Sequence, residues 1–158
     1  MTDLLTRPNN RTVRDAATVE DTSLALVELT LKALSASTSM SVLQVRVLLV
    51  IDQYGPLGLG ALAAQLEISA PSASRLVSRL VDERLILRRT PDHDRRTLEL
   101  RLSAKGRRTL DRVRQARRTA IAEVLTTMSA QDRRSLIDGL SGFASAGHAL
   151  TAARSVRP

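Results

Sequence analysis

Between residues 57 and 102 the chain changes its hydrophobic period, and this limits the available folds more than any other feature. Residues 60–66 (GALAAQL) are a short helical run, and Glu67-Ile68-Ser69 is a tight turn. From about 70 to 83, Ala73, Leu76, Val77 and Leu80 recur at helical spacing. Ser69 is a natural N-cap, and Pro71 falls in the first turn, where a missing N–H does no harm. The period then drops to two. Leu98, Leu100 and Leu102 alternate with Glu99 and Arg101, as on a strand with one buried face. Residues 85–89 supply a partner strand, and 90–96 (TPDHDRR) form a turn-rich, charged connection. Leu57 and Leu59 mark a short extended stretch ahead of the helices.

Helix, turn, helix and charged hairpin in this order make a winged helix, an arrangement suited to duplex DNA. The second helix offers Ser69, Ser72, Ser74 and Arg75 in its N-terminal half, with Arg79 one turn further on. Small serines let a helix sit deep in a major groove about 12 Å wide, and a helix N-terminus favours phosphate. Arg75 and Arg79, four apart, share a face. Each is able to fork onto guanine O6 and N7 or grip a phosphate, although Glu83 competes for Arg79. In the hairpin loop, Arg95 and Arg96 are candidates for the minor groove, where narrow A·T tracts attract arginine. Asp94 is placed to orient Arg96.

The flanks read as helix. Residues 1–16 are expected to form a flexible arm. Leu24, Val27, Leu31 and Leu34 make one apolar stripe, with Asp21 or Thr22 as its cap. A helix over about 42–54, capped by Ser39 or Ser41, is apolar nearly all round and therefore central. Gly55-Pro56 ends it. Ser103 caps a long helix over about 104–127, with Leu110, Val113, Ile121, Val124 and Met128 on one side. Its arginines, from Arg107 to Arg118, form a wet face whose first turn is also placed for phosphate. Ser129-Ala130-Gln131-Asp132 opens a last helix carrying Leu136, Leu140, Phe143 and Leu150. Residues 151–158 are a basic tail. The expected fold is all-α with a small β-wing. A winged helix-turn-helix lobe spans 39–103, with helical regions at 17–38 and 104–150.

Charge supports a polyanionic partner. Lys+Arg number 24 against 16 Asp+Glu, a net +8, and only Lys32 and Lys105 are lysines. Arginine forks bind phosphate bidentately and stay charged. The near absence of aromatics (Tyr54 and Phe143, no tryptophan) disfavours base stacking on single strands. With no cysteine, disulfides, thiol catalysis and thiolate metal sites are excluded. His93 and His148 lie far apart, so neither a metal nor a cofactor is expected. No glycine-rich phosphate loop, catalytic histidine pair or Gly-x-Ser-x-Gly elbow is present, which argues against an enzyme. The longest apolar run, 47–51, is far short of a membrane span, and the N-terminus lacks a signal core. A cytoplasmic protein is expected.

Gly55-Pro56-Leu57, Leu62-Ala63, Leu66, Ser69, Ser74-Arg75-Leu76-Val77, Arg79-Leu80, Leu85-Ile86, Asp94-Arg95-Arg96 and Leu102-Ser103-Ala104-Lys105-Gly106 together resemble the MarR-type regulators. The resemblance covers about residues 20–148. It implies a homodimer whose dimerisation layer comes from both chain ends. It further implies a near-palindromic operator, a repressor, and relief by a small phenolic or aromatic acid. Gln44, Arg46 and Tyr54 are candidates for that ligand's pocket. The chain departs from the family pattern at Arg84, where glycine is usual, and at Gly58, where threonine is common. A left-handed Arg84 would cost roughly 1 kcal/mol, and Gly58 would shorten the first strand to a bridge. Two other classes are an architectural DNA binder without sequence preference and a winged helix that binds protein.

Overall fold

The computed structural model describes residues 8–90 and 98–155, the last five by backbone alone. Its elements run α1 (Asn10–Ser37), α2 (Val42–Tyr54), α3 (Leu59–Leu66), α4 (Ala70–Asp82), β1 (Ile86–Arg89), β2 (Glu99–Leu102), α5 (Ala104–Thr127) and α6 (Ala130–Ser155). Two compact units divide the chain after Arg118.

The first unit holds the core. Leu48 of α2, Leu62 and Leu66 of α3, Leu80 of α4, Ile86 of β1, Leu100 of β2 and Leu110 of α5 are all fully buried. Burying a leucine or isoleucine side chain contributes about 1.5–3 kcal/mol, so these aliphatics hold the lobe together without aromatics. α2 is central as expected: Val45, Val47, Leu48, Val50 and Ile51 are all buried. Ser41, not Ser39, caps it. Its Oγ accepts from Gln44 N, while Gln44 Oε1 accepts from Ser41 N at 2.8 Å, a reciprocal capping box.

β1 and β2 pair antiparallel, with Ile86 opposite Leu102 and Arg88 opposite Leu100. Leu57 joins this sheet by a single bridge to Leu100, the reduced first strand anticipated from Gly58. Leu98 departs from expectation. It precedes β2 and is exposed, because the buried face begins only at Leu100.

Ser103 caps α5, accepting from Gly106 N at 2.9 Å. Its hydroxyl also donates to the Arg84 carbonyl at 2.7 Å, and its N–H donates to the Leu85 carbonyl. Lys105 Nζ donates to the Glu83 carbonyl at 2.8 Å. The first turn of α5 is thus tied to the end of α4. Gly106 is buried against this junction, where a Cβ would run into the Leu85 carbonyl. The Leu-Ser-x-Lys-Gly run is therefore a structural joint. Further along α5, Arg114 pairs with Asp52 of α2 at 2.7 Å, and Arg117 Nε donates to Thr30 Oγ1 of α1 at 2.9 Å.

α1 begins earlier than expected. Asn9 caps it, its Oδ1 accepting from Thr12 N at 2.8 Å, so neither Asp21 nor Thr22 is the cap. The helix takes in residues 10–16, where a flexible arm is expected from the sequence. Its stripe is only partly covered: Leu34 is buried, whereas Leu24, Val27 and Leu31 are exposed.

The second unit contains the end of α5 and all of α6. Val124, expected on an inner stripe, is exposed. Ser129 caps α6, accepting from Asp132 N at 3.0 Å. Asp132 meets the Ser129 hydroxyl at 2.7 Å rather than reaching back to the backbone. Leu136, Ile137, Leu140 and Phe143 are exposed along α6. The helix continues to Ser155, into the segment read as a tail. No single helix among the described residues is long and apolar enough to cross a membrane.

Candidate nucleic-acid interface

α3, a short turn and α4 form the helix-turn-helix. The turn between them uses a left-handed Glu67, at φ 55 and ψ 41. Glu67 N donates to the Ala64 carbonyl and Ile68 N to the Ala63 carbonyl, both at 3.1 Å. These bonds satisfy two of the carbonyls that a helix end leaves open. Ser69 then starts α4, its Oγ accepting from Ser72 N.

α4 is sharply two-sided. Ala73, Val77 and Leu80 are buried, and Arg75, Arg79 and Asp82 are exposed. Ser72, Ser74 and Ser78 are half-buried along its flanks. The structure brings three expected residues together at the N-terminal half. The Ser69 hydroxyl donates to Ser72 Oγ at 2.9 Å, and Arg75 Nη2 donates to the same oxygen at 3.3 Å. The guanidinium of Arg75 is thereby drawn back toward the helix N-terminus. Ser74, half-buried on the other flank of the helix, has no part in this chain. One turn on, Arg79 pairs with Glu83 at 3.0 Å. The pair is largely exposed, so it is worth only a few tenths of a kcal/mol. Arg79 is held, but weakly.

The end of α4 repeats the logic of the earlier turn. Arg84 is left-handed at φ 58. Its N–H donates to the Val81 carbonyl, and Leu85 N donates to the Leu80 carbonyl, both at 2.8 Å. Leu85 and Leu80 are both buried, so an apolar contact accompanies the motif. Arginine therefore stands where glycine is usual, in the geometry glycine would adopt.

Asp94, Arg95 and Arg96 lie outside the described residues. The strands below them are described. On β1, the face that carries buried Ile86 also carries Arg88, whose Nη2 donates to Ser78 Oγ of α4 at 2.9 Å. Arg88 was missed in the sequence, although period two from Ile86 points to it. From Ser69 to Thr90 there are five arginines (75, 79, 84, 88, 89) against Asp82 and Glu83, a net of +3. All five arginines are exposed.

The residues proposed for a ligand pocket do not come together. Gln44 is buried and occupied in the α2 capping box. Tyr54 lies ten residues away at the other end of α2, about 15 Å along the axis, and is exposed. Arg46 is exposed, with Nη2 donating to the Gln65 carbonyl at 3.4 Å. An open cleft of about 190 Å³ lies elsewhere in the first unit, lined by Ile51, Asp52, Gly55, Pro56, Arg101, Leu102 and Arg107.

Comparison with known proteins agrees with this geometry. The MarR family sequence profile matches residues 38–97, which take in α2, α3, α4 and β1. An HTH-type transcriptional regulator of Mycobacterium bovis is 29% identical over 121 residues, covering 75% of this chain and 85% of its own. The crystal structure of RV1404 from Mycobacterium tuberculosis is 29% identical. It superposes with a TM-score of 0.78 over 89% of this chain and 96% of that one. A mutant of S. aureus MepR bound to an oligodeoxyribonucleotide shares the fold, with 16% identity and a TM-score of 0.65 over 83% of this chain and 96% of that one. With its helix-turn-helix, two-stranded wing and flanking helices, the chain has the winged-helix fold of these proteins, and over residues 38–97 it is similar to the MarR family of transcriptional regulators.

Proposed function

We propose that the protein is a homodimeric, sequence-specific repressor that reads duplex DNA with α4, and that it is not an enzyme. The observation that carries this is the Ser69–Ser72–Arg75 chain on the exposed, N-terminal half of α4. It presents small side chains and one guanidinium on a rigid helix, the chemistry that suits guanine in a major groove. MepR, a fold relative, has been seen on an oligodeoxyribonucleotide. Arg95 and Arg96, with Asp94 as orienter, belong to the same proposal as minor-groove contacts.

A second copy of the chain is the expected cover for the exposed apolar residues of α1 and, separately, of α6. Leu24 and Phe143 are 58% and 67% exposed. Two-fold symmetry then calls for a near-palindromic operator. Relief by a small aromatic acid completes the reading. The cleft beside Gly55 suits it better than Gln44, Arg46 and Tyr54, because it combines apolar walls from Ile51, Pro56 and Leu102 with Arg101 and Arg107. A ligand that favours one arrangement of the DNA-binding lobes shifts the population by its differential affinity.

The test is fluorescence anisotropy on the chain's own upstream DNA and on a scrambled duplex, at two salt concentrations. Preference of a hundredfold or more for the native duplex is expected. Equal binding to both, collapsing with salt, would make the protein an architectural binder. Addition of benzoic-acid-class ligands is expected to release the specific complex.

A further inference from the structure

Arg88 is the charged residue on the inner face of the wing. Ile86, Leu100 and Leu102 on that face are buried, and Arg88 continues it where the core ends. Its side chain turns toward α4 and donates to Ser78 Oγ at 2.9 Å. Ion pairs among the described residues join Arg79 to Glu83, Arg101 to Glu99 and Arg114 to Asp52, and none includes Arg88. A guanidinium has five N–H donors. One is spent on Ser78, and among the described residues no carboxylate meets the charge.

This position has a geometric meaning if α4 enters a major groove and the hairpin enters the minor groove beside it. The sugar-phosphate strand that separates those grooves must pass between the two elements. Arg88 bridges them. We infer that Arg88 grips a phosphate of that strand while its bond to Ser78 sets the angle between recognition helix and wing. The inference rests on the DNA-binding reading above. It adds a backbone contact that positions the base-reading residues and carries no sequence information itself. The planar fork suits both jobs at once; a lysine ammonium is a point charge and suits only the first.

The experiment compares wild type, Arg88→Gln, Arg88→Lys and Ser78→Ala over a salt series. The probes are a random-sequence duplex and a duplex that wild type selects from a random library. Arg88→Gln keeps a donor for Ser78 but loses the charge. It is expected to flatten log K against log salt by about one per bound protomer and to weaken both duplexes by the same factor. Arg88→Lys is expected to keep the wild-type slope. Ser78→Ala is also expected to keep it while lowering the preference for the selected duplex. An unchanged slope in Arg88→Gln would overturn the assignment, and so would a loss confined to the selected duplex. Failure of wild type to bind either duplex is a separate result, visible before any variant is compared. It would overturn the DNA-binding reading itself.

Discussion

Two residues at the joint between α4 and α5 have opposite conformational demands. Gly106 has no room for a Cβ, because the Leu85 backbone carbonyl occupies the space. Backbone cannot swing aside as a flexible side chain would. Gly106→Ala is therefore expected to destabilise by about 3 kcal/mol, the upper part of the overpacking range, measured by urea denaturation. Arg84 is the reverse case. It is exposed, and its left-handed φ of 58 carries the Cβ penalty that glycine avoids. Arg84→Gly is expected to raise stability by up to about 1 kcal/mol in the same assay, less than the full penalty because glycine also loosens the unfolded chain. Arg75, on the proposed reading face, is exposed and has no role in the core. Arg75→Ala should leave the melting curve in place while lowering discrimination between specific and scrambled duplex by about 1–3 kcal/mol.

At the scale of elements, α4 has to be a rigid platform before its outer face is useful. Ala73, Val77 and Leu80 lock it onto the lobe, and Leu80 is fully buried. Leu80→Ala removes apolar contacts and leaves a cavity, and should cost about 2–5 kcal/mol. Amide hydrogen exchange is expected to show lost protection in α4 and in the β1–β2 pair it packs against. α2 plays the complementary part, buried through its middle from Gln44 to Ile51 along its inner face and capped by its own Gln44. That cap shows how a polar residue on a central helix is misread as a ligand group. Its side chain is polar because the helix start needs an acceptor, not because a pocket does. In the same way, Ser103 and Lys105 look like surface residues of α5 and instead bind the carbonyls at the end of α4.

For the whole molecule, charge and uncovered apolar surface are the dominant facts. The net +8 predicts strong attraction to any duplex at low salt, which makes preference measured near physiological salt the meaningful quantity. α6 exposes Leu136, Ile137, Leu140 and Phe143. A helix that leaves such residues in water is the natural contribution to an oligomer. On the proposed dimer, Phe143→Asp is expected to shift sedimentation from dimer to monomer and to weaken operator binding, since one protomer would read only half a site. Retention of the dimer would locate the contact on other helices.

Local features of the sequence determined most of the elements. Periodicity, with Ser41, Ser69, Ser103 and Ser129 as caps, set the starts of α2, α4, α5 and α6, because a cap and a helical face depend on neighbours within one turn. The winged helix followed from their order. Where the signal was weak or misleading, tertiary structure decided. Asn9 won the start of α1 from polar residues that read equally well as an arm. Left-handed turns formed at Glu67 and Arg84 without glycine, because burial of Leu85 and Leu80 on either side over-determines the second of them. The apolar pattern of Leu98 did not earn it burial, since the buried face of β2 begins only at Leu100 and that of the strand opposite ends at Ile86. Placing Arg88 against Ser78 required two segments ten residues apart to meet across a helix end and a strand. Such meetings depend on what packs opposite, a non-local quantity that residue type and spacing along one segment do not contain.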